Sequence, residues 1–447
     1  MKSSTIKSIY NTCPEYIRHL FALPIRWGLI GNKTFLDQYE ECRRAEIMSI
    51  DELRSIQRSR LLETLRFSYS NVPYYHDIFD QAGFDVSDDR CTDRMASLPF
   101  LTKRTIEERF DDLQASCVKD FYLATTGGST GAPVRVNLDR SSIYRERAFV
   151  YSFWARYGYD FKRSRIATFR GVDFEGRIAK DDPLYAAVLL NPFMLCEETI
   201  GGYLDAMDSY GCDFIQGYPS AVANFCRLLE GSDRQLRKKI KAVFFISENV
   251  EPETSEYVSR VLGCGCHAFY GHSERAVFAE SCDAGYVFDP LYGFTEVVEH
   301  NEGNIVCTGF LNRRMPLVRY AVDDNAKDNG DGTFSITGHH EGVELLGRNG
   351  ERITQTALNF HDGTFDDVPG GYQIVQDRVG LAECRLRPAR ELSGEEVAAI
   401  VHSLTSKTGD AIEWDVVQDK QFEFTRRGKV KLVVQHLDDR RLMLGCE

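Results

Sequence analysis

The densest chemical signal in the sequence is one loop. "ATTGGSTGAP", residues 124–133, runs Thr125, Thr126, Gly127, Gly128, Ser129, Thr130, Gly131 and then closes on Ala132 and Pro133. Glycines let backbone N–H groups close on an anion, and hydroxyls donate further hydrogen bonds without bulk, so the composition suits phosphate. A bare glycine-rich hairpin turn has the same composition. The P-loop of the nucleotide triphosphatases is excluded, because GxxxxGK[ST] is absent and Gly131 is followed by Ala132. A second concentration of reactive side chains, Cys264, Cys266, His267, His272 and Cys282, has ligands soft enough for zinc but not the spacing of a structural zinc site. Buried thiols on strands are the plainer reading of those cysteines.

These residues need elements to hold them. Residues 1–110 read as mostly helical, with Ile50, Leu53, Ile56, Leu61, Leu62 and Leu65 at helical spacing behind a Ser49 cap and a stop at Asn71-Val72-Pro73. "FYLATT" and "PVRVNL" read as strands on either side of the glycine loop, and a helix capped by Asp139 follows. Between 212 and 274 the pattern runs strand, helix, strand, helix, strand, which predicts a parallel sheet with right-handed crossovers. Ligands of such sheets sit at the carboxyl ends of the strands, here Gln216-Gly217-Tyr218, Ser247-Glu248 and Tyr270 to Glu274. After 290 the pattern turns antiparallel, with turns expected at Glu302-Gly303, Asn329-Gly330 and Asp331-Gly332. "LLGRNGERI" (345–353) reads as a junction to a small unit with its own strands and helix. The fold class expected is α/β: a large N-terminal domain with parallel and mixed sheets and helices, plus a small mobile α+β C-terminal domain.

At 447 residues the chain exceeds one typical core, and a net charge of -13 with 43% hydrophobic residues fits a globular protein without the basic face that nucleic acid requires. The thirteen cysteines include no CxxC pair, and no secretory signal opens the chain, which points to reduced thiols in the cytoplasm. "YIRHLFALPIRWGLIG" (16–31) carries Arg18, His19, Arg26 and a central proline, so it is no spanning helix. Docking on the body of the protein is its plainer role, with peripheral membrane contact as the alternative.

Five segments, in order, resemble the motifs of the adenylate-forming superfamily and, within it, the phenylacetate-CoA ligase branch with its capsular-polysaccharide-biosynthesis relatives. "TTGGSTGAP" resembles the hydroxyl-rich ATP-phosphate loop, "YGHSE" the Tyr-Gly-x-Thr/Ser-Glu motif, and "MPLVRYAVDDNA" the ribose-binding segment. "GRNGERI" is similar to the hinge and "TRRGKVKL" to the C-terminal Thr-x-x-Gly-Lys motif. The resemblance implies a large ATP- and carboxylate-binding domain over 1–347, a hinge at 348–350 containing Asn349 and Gly350, and a lid domain over 351–447.

It also implies residue roles. Thr125 to Gly131 and Tyr270-Gly271-His272-Ser273 would hold ATP, with Tyr270 on or beside the base and Ser247-Glu248 on the adenine side. Glu274 would be a hard oxygen ligand for Mg²⁺. Asp324 would accept from both ribose hydroxyls, with Arg348 also on the ribose. Lys429 would come from the small domain to neutralise charge developing at the α-phosphate. Phe169, Arg170, Gly171, Tyr218, Pro219 and Ser220 lie at strand ends suited to the acid pocket. The loop ends Gly-Ala-Pro where the family commonly has Gly-Lys-Pro, so one positive charge near the phosphates is missing. Asp323 stands before Asp324 where glycine is usual, and Asn349 where an acid is frequent.

The implied reaction joins a carboxylic acid to ATP as an acyl-adenylate and passes the acyl group to a thiol, coenzyme A. An amine or sugar-linked acceptor within cell-surface polysaccharide biosynthesis is the alternative. From another class, the competing reading is a nucleotide-binding scaffold that keeps the fold without turnover.

Overall fold

The computed structural model describes residues 31–125, 134–171, 174, 176–298, 302–337, 344–353, 358, 365, 368, 372–388, 390–418, 421–423 and 433–437. The glycine-loop residues Thr126 to Gly131, and Lys429, lie outside them.

Helix α1 (Lys33–Ala45) starts where the Asn32 side chain accepts from the Phe35 N–H. Helix α2 (Ile50–Asn71) opens on a complete capping box, Ser49 with Glu52, and ends at Val72, because Pro73 is the first residue of α3 (Pro73–Gln81). Of the apolar positions read from its sequence, Leu61 and Leu65 are buried, whereas Ile50 is 59% exposed. A short helix, α4 (Lys103–Glu108), follows, capped by Thr102.

Strands β1 (Phe121–Thr125) and β2 (Arg135–Asp139) pair antiparallel, ending with Thr125 opposite Arg135 at the mouth of the glycine loop. Asp139 ends β2 and caps α5 (Arg140–Ala155), accepting from Ser142 N at 3.0 Å.

The rest of the large unit is organised on a twelve-stranded sheet. Its first half is β3 (Ile166–Phe169), the antiparallel edge strand β4 (Ala179–Asp182) and β5 (Ala187–Leu190). Then come α6 (Ile200–Tyr210), β6 (Phe214–Gly217), α7 (Pro219–Glu230), β7 (Ala242–Phe245), α8 (Pro252–Leu262) and β8 (Gly265–Gly271). Strands β5, β3, β6, β7 and β8 are parallel neighbours in that order. Alternation along them sorts side chains to two faces: Ala167, Ile215, Val243 and Phe245 join α6, α7 and α8 in one core, while Ile166, Phe214, Ala242 and Phe244 meet Phe35 of α1 and Trp154 of α5 in the other. Gly217 is required where β6 passes β3, since a Cβ there would lie 2.8 Å from the Cβ of Phe169.

The antiparallel half continues from β8 through β9 (Phe278–Cys282), β10 (Gly285–Phe288), β11 (Gly293–Val298), β12 (Glu302–Gly309), β13 (Tyr320–Asp328) and β14 (Phe334–Thr337). Asn329-Gly330 and Asp331-Gly332 turn β13 into β14. Glu302-Gly303 is not the expected turn: the pairings Glu302 with Lys327 and Gly303 with Ala326 extend the ladder to the very start of β12. An isolated bridge joins Leu101 to Tyr320 and ties the segment before α4 to the first residue of β13.

At the junction, β15 (Leu345–Leu346) and β16 (Arg352–Ile353) pair around a turn in which Gly350 has φ 84°. Beyond it, β17 (Tyr372–Arg378), β18 (Leu381–Leu386), β19 (Glu413–Gln418) and β20 (Val433–Gln435) form a four-stranded mixed sheet ordered β19-β18-β17-β20. Among the described residues it carries one α-helix, α9 (Gly394–Thr408), again begun by a capping box, Ser393 with Glu396.

Candidate active site

The carboxyl end of β8 gathers three of the sequence-predicted residues. The Tyr270 hydroxyl donates to Asp324 Oδ2 at 2.8 Å, and His272 Nε2 lies 2.9 Å from the same oxygen. Asp324 reaches them from β13 and is 7% exposed. Two donors on one oxygen fix the carboxylate's plane before any ligand arrives. Burial and then the Asp324 carboxylate hold the Tyr270 hydroxyl far above its ordinary range, so Tyr270 is a donor.

Burial alone would push the His272 imidazole down. The hydrogen bond to Asp324 and the charges of Glu274 and Asp324 outweigh it, and its pKa is raised above the ordinary histidine value. A group whose folded pKa is raised contributes stability that is fully present below the unfolded value of about 6.5 and is lost as pH rises through the folded one. Urea unfolding of His272→Gln beside the parent protein should therefore show a larger deficit at about pH 5.5 than at about pH 9. A deficit independent of pH would exclude the imidazolium.

Glu274 is 6% exposed, and its Oε1 accepts from the Tyr320 hydroxyl at 2.9 Å. A tight turn presents it: Arg275 N donates to His272 O at 3.0 Å, and Arg275 itself has a φ of 55°. The Arg275 guanidinium then bonds Glu146 and, at 2.9 Å, the Ser142 hydroxyl on α5, and lies over the Tyr122 ring of β1. One arginine thus ties the turn bearing Glu274 to the hairpin bearing the glycine loop.

Three residues of this cluster were not singled out from the sequence. Tyr320 and Arg275 position Glu274. Lys103 arrives through the Leu101 bridge, and its charge acts on His272. The signal that could have found Lys103 is a basic residue just inside a helix start, which is too common to single out.

At the neighbouring strand ends, Ser247 after β7 has a φ of 65°, unusual for a residue with a side chain. The turn sends Glu248 back to the N-terminus of α7, where its carboxylate accepts from Ser220 N at 3.2 Å and the Ser220 hydroxyl at 3.1 Å. Tyr218 is 4% exposed and Phe169 fully buried, with its ring 5.4 Å from Phe225. Burial pushes the Tyr218 hydroxyl up to about 12, against the Arg170 charge and with that of Glu248. Pro219 is buried with Tyr218, Gly171 is buried, and Arg170 is the exposed member of the group.

Arg348 bonds Glu413 at 2.5 Å through its side chain and Ala411 O at 2.9 Å through its backbone, both on the small unit, and has no hydrogen bond to Asp324. Asn349 bonds the 8%-exposed Glu351 through its backbone N–H at 2.9 Å and its amide at 3.0 Å, which puts an acid beside Asn349 at the junction. The Cys/His cluster disperses: His267 stacks on Tyr157, His272 faces Asp324, and among the described residues no three His, Cys, Asp or Glu side chains are placed to hold a metal ion.

No family model matches the chain. Curated relatives do. Protein CapK of Staphylococcus aureus is 21% identical over 335 residues, covering 71% of this chain and 72% of the relative. The phenylacetate-coenzyme A ligases of Escherichia coli (strain K12) and Pseudomonas putida are 24% and 28% identical over 303 and 319 residues, covering 62% and 65% of this chain and 68% and 71% of theirs. The chain is thus similar to the phenylacetate-CoA ligase-like branch of the adenylate-forming superfamily. The fold is seen again in a solved 2-hydroxyisobutyryl-CoA ligase in complex with 2-HIB-AMP and CoA, which is 17% identical, has a TM-score of 0.53, and covers 89% of this chain and 92% of its own. Among the described residues no helix is long and apolar enough to cross a membrane.

Proposed function

We propose that the chain is an AMP-forming acid–thiol ligase. A carboxylate oxygen attacks the α-phosphorus of ATP, the bond from that phosphorus to the bridging oxygen breaks, and pyrophosphate leaves. The thiolate of coenzyme A then attacks the acyl carbonyl and AMP leaves. The observation that carries this reading is the pair of buried carboxylates, Glu274 and Asp324, at the carboxyl end of β8 in a chain whose relatives are named coenzyme A ligases.

Asp324, steadied by Tyr270 and His272, orients the ribose hydroxyls. Lys103 adds positive charge beside them. Arg170, exposed at the end of β3, is suited to steer the acid's carboxylate. Mg²⁺ suits the donor set: Glu274 offers a buried hard-oxygen carboxylate held by Tyr320, and Mg²⁺ is usually bound by one or two carboxylates together with substrate phosphates and water. When bound, it neutralises phosphate charge. Lys429, outside the described residues, carries the remaining cation. The turn at Gly350 lets the small unit rotate between half-reactions, since a glycine at φ 84° resists little change of dihedral angle.

AMP release should require both an acid and coenzyme A. AMP formed at the same rate without acid would sink the proposal.

A further inference from the structure

Strand parity places a second cavity on the sheet face away from Asp324. Tyr270 pairs with Ala279, and the next residue pair, Phe269 with Glu280, points the other way. On that far face, between α1, α5 and the β9–β10 hairpin, lies a cavity of about 470 Å³. Its walls are mostly apolar: Met48, Leu53, Phe149, Phe288, Leu291 and, at 43% exposure, Val287. That volume falls in the range of small-molecule pockets and exceeds what a few structural waters fill.

Its polar lining is one-sided. Glu46, Glu280 and Asp289 share the lining with one cation, Arg156, whose guanidinium bonds Glu280 and Glu46, while from outside the lining Arg43 bonds Glu46 and the Arg60 charge acts on Asp289. Burial pushes the carboxyl groups of both Glu280 and Asp289 upward despite Arg156, and the Asp289 charge adds to the rise at Glu280. The second observation is independent of the acids. Ser152 of α5 lines the same cavity, is 1% exposed, and its hydroxyl has no hydrogen-bond partner among the described residues. A buried hydroxyl without a partner is costly unless something that enters the cavity satisfies it.

An anion has no uncommitted cation here, and no three metal ligands come together among the described residues. An ammonium group fits: it offers three N–H donors, Ser152 Oγ can accept one, and the carboxylates keep acceptor sites beyond those used by Arg156, Arg43 and Leu291 N. We propose that this cavity binds a small organic ammonium ion bearing an apolar chain, at a site separate from the nucleotide pocket.

Calorimetric titration without nucleotide, using hexylammonium, hexan-1-ol and hexanoate, tests it. The expected result is one hexylammonium per chain, with hexanol and hexanoate weaker by about tenfold or more, because a hydrogen bond to a charged group is the difference. Glu280→Gln should weaken hexylammonium by about tenfold. Val287→Arg, at a position 43% exposed, should do the same by placing a competing cation at the mouth. Asp324→Asn should leave binding intact. Three results each overturn the proposal: no binding by the parent protein, hexanol binding as tightly as hexylammonium, or binding lost in Asp324→Asn and kept in Val287→Arg.

Discussion

Replacing Glu274 with glutamine is expected to lower acid-dependent ATP–pyrophosphate exchange about 100-fold at fixed Mg²⁺, and to raise the Mg²⁺ needed for half-maximal rate. Glutamine keeps the shape and still accepts from the Tyr320 hydroxyl, so the fold and the turn through Arg275 should survive. What changes is the charge. A neutral amide is a poor ligand for a small hard cation, and excess Mg²⁺ should recover part of the rate. Tyr320→Phe provides the contrast, since it frees Glu274 Oε1 from its anchor while leaving the carboxylate in place. A smaller loss with the Mg²⁺ dependence largely retained identifies Tyr320 as a positioning residue. Unchanged Mg²⁺ dependence in Glu274→Gln would show that this carboxylate is not the metal ligand.

Lys429→Ala has the other large expected effect. Exchange should fall by about 10²–10³-fold, the cost of losing one preorganised group at developing charge, while ATP affinity stays nearly unchanged. The asymmetry follows from where the lysine comes from. In this account it belongs to a small unit that swings in for adenylation, so it contributes to the transition state and not to the resting nucleotide complex. Asp324 and its partners, the groups proposed to hold the nucleotide's ribose, are by contrast built into the large sheet. Equal turnover in Lys429→Ala and the parent protein would remove the lysine from the reaction.

Much of this site was legible from local pattern. The parallel run from β6 to β8 falls where strand and helix periodicities place it, and the turn after β8 delivers Tyr270, His272 and Glu274 as the strand-end rule expects. The Asp139 cap, the Ser49 capping box and the Asn329-Gly330 turn are equally local signals. Long-range pairing was not legible. That β8 passes into β9 and makes the parallel and antiparallel halves one sheet depends on hydrogen bonds that leave no periodic trace. Lys103 enters the cluster only because Leu101 bridges to Tyr320, more than two hundred residues away. The Glu302-Gly303 pair shows the converse error. A turn-type dipeptide is extended here because neighbouring strands supply a ladder that outweighs its local preference. Phe169 and Tyr218 sit at strand ends as read, but the helices packed over those ends bury both rings.

The most direct test of the account is ATP–pyrophosphate exchange measured without any acceptor across aryl, fatty, amino and hydroxy acids. Exchange above background with one acid class, abolished when the acid is omitted, is the expected result. ATP binding with no exchange for any acid in the panel would contradict it and favour a nucleotide-binding scaffold.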